Sequence, residues 1–410
     1  MTSLSAVVFA MAERGHFKRM KPLIADLAAE GVTTHVFTSA RFRAGVHGAG
    51  GRFIDLFAGR PLERIDATSI PVPSRFVSFA GCCGNEVARE AAALRPSVVI
   101  HDTFAVIGHV VAHHLGIPCV NVCAGHNLAP GPTIEALKRD PRVKISDACW
   151  RSVHWLRERH GLPEASPFSY VSAVSRDLNV YCEPPQFLRP AERAPFEPIA
   201  FFGSLWPEDP EYAESPAPAF GEGAAERCRV YVSFGTIIWR YYEAAALGAL
   251  EAICEALSDR QDVVVLVSLG GAVNPDRVAG LARPNIRIAS YVDQWRVLRD
   301  ASVCVTHQGL NSTHEAIFHE VPMISYPFFS DQPGLAARCQ ELGLAVPLAT
   351  TLRGPVRADM VRAALARVRE DLPAMRARLA EARRWEIDTI RARGDVVRAI
   401  LALARQRATA

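Results

Sequence analysis

Several features of membrane proteins, secreted proteins and nucleic-acid binders are missing from the sequence. No apolar run reaches the ~20 residues that a helix needs to cross a bilayer. The N-terminus lacks the basic segment and long apolar stretch of a signal peptide. The formal net charge is only +3, which argues against nucleic acid or an anionic lipid surface as a partner. We therefore expect a cytoplasmic protein without stable membrane insertion, acting as a monomer or dimer.

Motifs for common cofactors and metals are also missing. No Gly-x-Gly-x-x-Gly follows the first strand-like segment, which excludes a dinucleotide-dependent oxidoreductase. No Asp-x-Asp triplet is present to hold a metal–diphosphate complex. The ten cysteines include no Cys-x-x-Cys pair, and several lie inside apolar runs. We expect buried free thiols rather than disulfides, no metal site and no bound cofactor.

The patterning that is present predicts an α/β protein with two domains. The chain has 410 residues, more than a single core usually supports. Short apolar strand-like runs alternate with segments of helical periodicity, which is typical of βαβ units and parallel sheets. Residues 184–218 hold nine of the 28 prolines and interrupt this alternation. Repeated proline sustains neither a helix nor a central strand, so we expect a connection there.

We place the first domain at residues 1–222 and the second at 223–384, with a helical segment at about 385–410 that packs back on the first domain. Two doubly wound sheets of this kind would face each other across a cleft. Ligands of such sheets bind at the carboxyl ends of the strands. Polar residues that follow strands are therefore the candidate site residues.

In the first domain these candidates are His16, in the loop after the first strand, and Asp102, at the end of the strand 97–101. A carboxylate that accepts from imidazole Nδ1–H leaves Nε2 free to take a proton. The pair is thus a candidate general base for a hydroxyl group. Two alternatives remain open. Asp102 would also serve as a helix N-cap, and His101 competes as the base, although strand alternation points it to the opposite face.

In the second domain the segment from Thr306 to Ala316 predicts an anion site. A strand ends at Thr306, Gly309 provides a tight turn, and Asn311 or Ser312 caps the next helix. Free N–H groups and the positive dipole end of a helix attract phosphate, and His307 would add a donor. The alternative is an ordinary capped helix with Glu315 near its third position. That alternative does not account for Asp331 and Gln332, which follow the next strand.

The stretch Tyr291–Gly343 resembles the nucleotide-sugar signature of the family-1 glycosyltransferases with the GT-B fold. This family includes macrolide glycosyltransferases and plant secondary-product glucosyltransferases. Val230–Thr236 is similar to the first strand of its donor domain, and His16 and Asp102 stand where its catalytic pair is expected. The resemblance spans nearly the whole chain. It departs at Tyr291, where tryptophan is usual, at Asp293 in place of proline, and at Gln308 in place of a frequent glycine.

The resemblance implies an inverting, metal-independent transfer of a hexose from a UDP-sugar, UDP-glucose first and a TDP-sugar second, to a small hydrophobic acceptor. His16 would be the base and Asp102 its partner. The implied roles in donor binding are stacking on the nucleotide base (Tyr291), contact with the nucleoside (Gln294), contact with the ribose hydroxyls (Glu315), contact with the diphosphate (Thr236, His307, Gly309, Asn311, Ser312) and contact with the sugar hydroxyls (Asp331, Gln332).

The acceptor is expected to be a polyketide, macrolide or phenolic hydroxyl compound bound by the first domain. Aromatic and imidazole side chains near the expected cleft are the candidate contacts, namely Phe79, Phe104, His126, Trp150 and Trp155. Such residues often belong to the core instead. The alternative functions are a nucleotide-sugar epimerase or a non-catalytic sugar-nucleotide-binding partner, and an intact pair of His16 and Asp102 argues against both.

Overall fold

The computed structural model describes residues 4–123, 125–209, 219–221 and 223–406. The chain divides into two compact units, one formed by Met1–Trp206 with Thr389–Ala410 and the other by Pro207–Asp388. The boundary expected from the sequence falls at residue 222, which lies outside the described residues, and the division at Trp206 comes earlier in the chain.

The first unit is built on a seven-stranded parallel sheet with the order β3-β2-β1-β4-β5-β6-β7. Its central strands are apolar on both faces, as expected for a parallel sheet covered by helices on both sides. The strands are β1 Ser5–Phe9, β2 Thr33–Thr38, β3 Arg52–Asp55, β4 Val98–Asp102, β5 Cys119–Val122, β6 Leu178–Tyr181 and β7 Ile199–Phe201.

Eight helices of the first unit connect these strands or follow them. The long helix α4 packs against α5 and α7, and together they enclose an apolar core that includes Val77, Val110 and Leu156. The helices are α1 Arg14–Ala29, α2 Arg43–Gly48, α3 Leu62–Ile65, α4 Pro73–Ala93, α5 Val106–Leu115, α6 Pro130–Arg139, α7 Asp147–Glu158 and α8 Ser169–Ser172.

The second unit repeats this plan with a six-stranded parallel sheet of order β10-β9-β8-β11-β12-β13. The strands are β8 Cys228–Ser233, β9 Val263–Ser268, β10 Ile286–Ala289, β11 Val303–Thr306, β12 Met323–Ser325 and β13 Ala345–Pro347. The helices are α9 Ile238–Tyr241, α10 Glu243–Leu257, α11 Gln294–Asp300, α12 Leu310–Phe318, α13 Gln332–Glu341, α14 Ala358–Glu370 and α15 Leu372–Arg391.

Both sheets have the doubly wound order, which confirms the predicted fold class. In each sheet the strands on one side of the first strand come next in the sequence, and the strands on its other side follow after a crossover connection. The crevice at this reversal lies at the carboxyl ends of β1 and β4 in the first sheet, and of β8 and β11 in the second. Ligands of such sheets bind at these crevices. None of the described helices combines the length and apolarity that a bilayer crossing requires.

The last helix, α16 Arg393–Gln406, belongs to the first unit. Its buried residue Arg393 donates from Nε to the carbonyl oxygen of Phe202 at 2.9 Å and from Nη2 to that of Leu205. The guanidinium carbon also lies 4.4 Å from the centroid of the Phe202 ring. A single side chain therefore fastens the end of the chain to the segment that follows β7.

We expect Arg393→Ala to lower the free energy of unfolding of the first unit by about 2–4 kcal/mol, because two buried carbonyl groups lose a charged donor. Hydrogen exchange of the β7 and α16 amides measures this change. The matched control is Arg398→Ala, since Arg398 lies on the same helix and forms only an exposed ion pair with Asp395, which contributes little. Equal protection losses in the two variants would contradict the prediction.

Candidate functional site

His16 and Asp102 meet at the crevice of the first sheet. His16 is the third residue of α1, because this helix begins at Arg14 rather than after His16 as the sequence suggested. Asp102 is the last residue of β4, which lies beside β1. The His16 Nδ1 and Asp102 Oδ2 atoms are 2.8 Å apart, and the side chains are 15% and 2% exposed respectively. The structure thus brings the predicted pair into direct contact, with the imidazole as its accessible member.

The surroundings of Asp102 favour its carboxylate form. Burial alone would raise the pKa of Asp102, but His16, Arg19 and the Phe104 N–H together lower this pKa below its usual value. The Oδ1 atom accepts from the Phe104 N–H at 2.8 Å. The sequence left open that Asp102 is the N-cap of the next helix. The structure excludes this, because the N-cap of α5 is Ala105. With Oδ2 accepting from Nδ1–H, His16 Nε2 carries the lone pair.

A second imidazole–carboxylate pair lies after the neighbouring strands of the same sheet. His126 follows β5 and Glu183 follows β6, and His126 Nδ1 lies 2.9 Å from Glu183 Oε2. Both side chains are almost fully buried. Sequence reasoning selected His126 but missed Glu183. The sequence did carry a signal for Glu183, because this residue is the second after β6 and so lies near the carboxyl edge of the same parallel sheet.

The other predicted acceptor contacts lie in three different environments. The half-buried ring of Phe104 lies 4.9 Å from the His16 ring and borders a cavity of only about 10 Å³ with Gly125, Leu128 and Val171. Phe79 is fully buried in the core, where its ring packs against that of Phe57. Trp150 and Trp155 lie on the solvent side of α7, and Trp150 is 52% exposed.

The predicted anion site of the second unit is formed by the N-terminus of α12. This helix begins at Leu310 with Gly309 as its N-cap, so Asn311 and Ser312 are its second and third residues. The expectation that Asn311 or Ser312 caps the helix is therefore wrong by two or three positions. The correction strengthens the site, because the N–H groups of the first turn have no acceptor within the helix and give this end its affinity for anions.

The tight turn before α12 is made by Gln308 and not by Gly309. Gln308 has φ of 56°, whereas Gly309 has φ of −68°. A residue with a Cβ adopts this left-handed conformation only when its surroundings hold it. The fully buried side chain does so, because Nε2 donates to Thr313 Oγ1 at 3.1 Å and Oε1 accepts from Ser325 Oγ at 3.3 Å. The turn expected at Gly309 is corrected accordingly.

We expect Gln308→Gly to destabilise the second unit less than Gln308→Ala. Both variants lose the side-chain hydrogen bonds, at about 2–4 kcal/mol, but only glycine relieves the left-handed strain, which is about 1 kcal/mol. Hydrogen exchange of the β11 and α12 amides measures the difference in the free energy of local unfolding. An alanine variant that is as stable as the glycine variant would show that the backbone at 308 is unstrained.

His307 occupies a space that is shaped by two glycines. A Cβ atom at Gly235 would lie 2.8 Å from the His307 ring, and one at Gly309 would lie 2.3 Å from its Nε2 atom. A glycine is therefore needed at position 309 because any Cβ atom there would clash with the His307 ring, and not because of the backbone angle. Burial lowers the pKa of His307 to about 4, although a hydrogen bond with the Ser233 backbone opposes this shift. The imidazole is therefore neutral at neutral pH, and the one N–H group of its ring bonds the Ser233 backbone.

Gln294, Ser312 and Glu315 form a hydrogen-bonded network between α11 and α12. Gln294 Nε2 donates to Glu315 Oε2 at 2.8 Å and to Ser312 Oγ at 3.1 Å. The hydroxyl group of Tyr231, on β8, donates to Gln294 Oε1 at 3.4 Å. Glu315 is only 1% exposed, so its carboxylate holds the Gln294 amide in place. The network joins three residues that the sequence selected separately.

The remaining predicted donor contacts lie in loops after strands of the second sheet. Tyr291 follows β10 and is 52% exposed, and Thr236 lies in the half-buried loop after β8. Asp331 is the N-cap residue of α13. Gln332 is buried, and its Oε1 atom accepts from the Phe328 and Phe329 N–H groups at 2.9 and 3.3 Å. Gln332 therefore fixes the loop after β12, and its Nε2 group is the part that can donate to a ligand.

Comparison with known proteins finds similarity to glycosyltransferases. The family model described as UDP-glucoronosyl and UDP-glucosyl transferase matches residues 194–371. Oleandomycin glycosyltransferase of Streptomyces antibioticus is 27% identical over 76% of this chain and 70% of its own length. Zeaxanthin glucosyltransferase of Pantoea ananas is 25% identical over 58% of this chain, and NDP-glycosyltransferase YjiC of Bacillus subtilis is 27% identical over 62%. The chain spans 57% and 60% of the length of these last two proteins.

Solved structures agree on the fold. The glycotransferase of kitacinnamycin has a TM-score of 0.74 at 23% identity, covering 98% of this chain and all of that one. The spinosyn rhamnosyltransferase SpnG, complexed with thymidine diphosphate, has a TM-score of 0.65 at 20% identity, covering 95% of this chain and 96% of that one. The chain has the GT-B fold, and its similarity to named glycosyltransferases, together with the match of residues 194–371 to the UDP-glucosyl transferase model, confirms the resemblance that its sequence motifs predicted.

Proposed function

We propose that the protein transfers a hexose, with glucose the first candidate, from a UDP-sugar to a hydroxyl group of a small hydrophobic natural product, with inversion and without a metal at the reacting centre. The observation that carries this proposal is the contact of 2.8 Å between His16 and Asp102 at the crevice of the first sheet. An imidazole supported in this way is a general base for a hydroxyl group.

In the proposed reaction His16 Nε2 takes the proton of the acceptor hydroxyl. The oxygen atom forms a bond with the anomeric carbon of the sugar, and the bond between that carbon and the diphosphate oxygen breaks. A single displacement of this kind inverts the anomeric carbon. The negative charge of Asp102 stabilises the imidazolium that forms. The departing diphosphate keeps the bonding electrons and leaves as the nucleoside diphosphate.

The donor half of the proposal is supported by the N-terminus of α12. The N–H groups of its first turn would donate to the diphosphate, so that charge developing on the leaving group is stabilised by fixed dipoles. Tyr291, whose ring is half exposed, is positioned to stack on the base. The complex of a similar structure with thymidine diphosphate makes TDP-sugars the second donor class to test.

For the acceptor we propose contacts from Phe104 and His126. Phe104 packs against His16, and His126 is held by Glu183. Phe79 has no part in this proposal because it is fully buried. Relatives named for oleandomycin and zeaxanthin support a polyketide, macrolide or phenolic acceptor class. Trp150 and Trp155 remain candidates for the outer end of a long acceptor.

The test is a transfer assay with UDP-glucose and TDP-glucose against a panel of macrolides, polyketides and phenols, with EDTA or Mg²⁺ present. We expect a glycoside at equal rates in both buffers, and NMR of the product to show an inverted anomeric carbon. Retention of configuration, or a requirement for Mg²⁺, would overturn the mechanism. Conversion of the sugar nucleotide to an epimer without an acceptor would instead favour an epimerase. Nucleotide binding without turnover would favour a non-catalytic partner.

A further inference from the structure

Three side chains that can bind metals gather on the face of the first sheet that α5 covers. His101 lies on β4, Cys119 begins β5, and His109 lies on α5. Cys119 pairs with Val99, and side chains alternate along a strand, so Cys119 and His101 share one face, opposite to Asp102. One ligand atom from each of the three residues lies within 4.8 Å of the other two.

Two imidazole nitrogens of this cluster are buried and have no hydrogen-bond partner among the described residues, namely Nε2 of His101 and Nδ1 of His109. The His101 side chain is completely buried. Its Nδ1 atom lies 2.9 Å from the backbone oxygen of Asp102. This contact assigns the ring proton to Nδ1 and leaves a lone pair on Nε2. A histidine that binds a metal through one ring nitrogen usually donates the N–H of the other nitrogen to an acceptor such as a backbone carbonyl.

The approach of α5 to the sheet depends on Gly108. A Cβ atom at this position would lie 2.4 Å from the Cβ atom of His101, so no other residue fits without displacing the helix. The next residue of the helix is His109, and the close contact therefore brings its ring towards His101 and Cys119. This close packing explains the glycine at position 108, because a residue inside a helix does not need the backbone freedom of glycine for a turn.

We propose that His101, His109 and Cys119 bind one Zn²⁺ ion, with water as the fourth ligand. Imidazole nitrogen and thiolate sulfur are both common zinc ligands, at distances of about 2.0–2.1 Å and 2.3 Å respectively. Ligand atoms around such an ion are about 3.5 Å apart, so small side-chain rotations close the cluster. As zinc binds, the Cys119 thiol releases its proton to solvent and the two imidazoles bind as neutral ligands.

Charges of both signs surround the cluster. Arg176 and His113 lie near His109 and oppose a cation, whereas Asp177 lies near Cys119. The Asp177 Oδ2 atom accepts from the Cys119 backbone N–H at 2.7 Å, which fixes the start of β5. His109 is the half-buried member of the cluster and so gives the ion its path from solvent. Bound zinc would join β4, β5 and α5 beside Asp102, independently of the sugar-transfer chemistry.

The experiment uses the full-length protein, freed of metal by a chelator at neutral pH and titrated with Co²⁺ as an optical probe. We expect one equivalent to bind with a thiolate-to-cobalt absorption band in the near ultraviolet, and Zn²⁺ to displace it. Zinc should also raise the thermal midpoint of the wild-type protein, because an ion that binds only the folded chain stabilises it.

Cys119→Ser should abolish the absorption band. Loss of a residue that only hydrogen-bonds to a metal ligand typically weakens metal binding by roughly 10- to 100-fold. Because His109→Gln removes a ligand itself, it should weaken zinc binding by more than this. Because His109 is half-buried, this second variant keeps the test decisive if Cys119→Ser fails to fold by circular dichroism. The matched controls are Cys82→Ser, which removes an exposed thiol, and His47→Ala, which removes an exposed imidazole from α2.

Both controls should bind Co²⁺ and Zn²⁺ as the wild-type protein does. The proposal is overturned if the folded wild-type protein binds no zinc or shows no thiolate band. It is also overturned if His109→Gln binds zinc as tightly as the wild type, or if Cys82→Ser removes the band, because zinc would then lie at a surface site. None of these outcomes depends on the proposed sugar transfer.

Discussion

His16→Ala should lower kcat for sugar transfer by about 10²–10⁴-fold, the usual contribution of a positioned general base. The dissociation constant of the nucleoside diphosphate should stay unchanged, because His16 lies on α1 of the first unit and the predicted phosphate site lies on α12 of the second. Steady-state kinetics give kcat, and calorimetry with UDP gives the dissociation constant. We expect kcat to change because the contact of 2.8 Å between His16 and Asp102 supports His16 as the base.

The control for this variant is His47→Ala, which removes an exposed imidazole from α2 of the same unit and should leave both quantities unchanged. Asp102→Asn should also lower kcat, because an amide in place of the carboxylate no longer stabilises the imidazolium. If His16→Ala transfers sugar at the wild-type rate while UDP still binds, another group is the base. His101 is then excluded as well, since it is fully buried.

Glu315→Ala should weaken the binding of UDP by roughly 10- to 100-fold, because hydrogen bonds to a charged group contribute about 1.5–3 kcal/mol. Two explanations of such a loss differ in a measurable way. The family resemblance implies contact with ribose hydroxyls, whereas the structure shows Glu315 bonded to Gln294 and only 1% exposed. Calorimetric titration with UDP and with TDP, whose sugar lacks the 2′-hydroxyl group, separates them.

A loss that is larger for UDP than for TDP would indicate direct contact with the 2′-hydroxyl group. Equal losses would indicate that Glu315 acts through Gln294 or contacts only the 3′-hydroxyl group, which both nucleotides carry. The matched control is Glu320→Ala, just beyond the end of the same helix, which removes a surface pair with Arg383 and should change neither constant. If Glu315→Ala binds both nucleotides as tightly as the wild type, the network between α11 and α12 is not part of the donor site.

The strands, the two sheets and the placement of most site residues were predictable from the sequence. Apolar runs such as Val98–Asp102 are buried on both faces in a parallel sheet, and this burial leaves a local signal. The polar residues that follow these runs collect at one edge because all the strands are parallel. His16 and Asp102, and separately Thr236 and His307, were found in this way although more than 60 residues separate the members of each pair.

Helix starts and turn geometry were less predictable, because packing decides between local alternatives of similar energy. The sequence favoured Gly309 for the left-handed residue, since glycine adopts this conformation without strain. The structure places it at Gln308, whose buried amide forms enough hydrogen bonds to hold the strained backbone. The same limitation applies to α1, which begins at Arg14 and so takes His16 into its first turn.

The sequence by itself determined the fold class, the family resemblance and the residue types available at the two crevices, because these depend on periodicity and on motifs within short stretches. Only the tertiary structure decided which distant side chains pair. The contact of His126 with Glu183, that of Glu315 with Gln294, and the gathering of His101, His109 and Cys119 all join residues from different elements. Such pairings depend on strand order and on how closely a helix approaches the sheet, and neither quantity is encoded in any single segment.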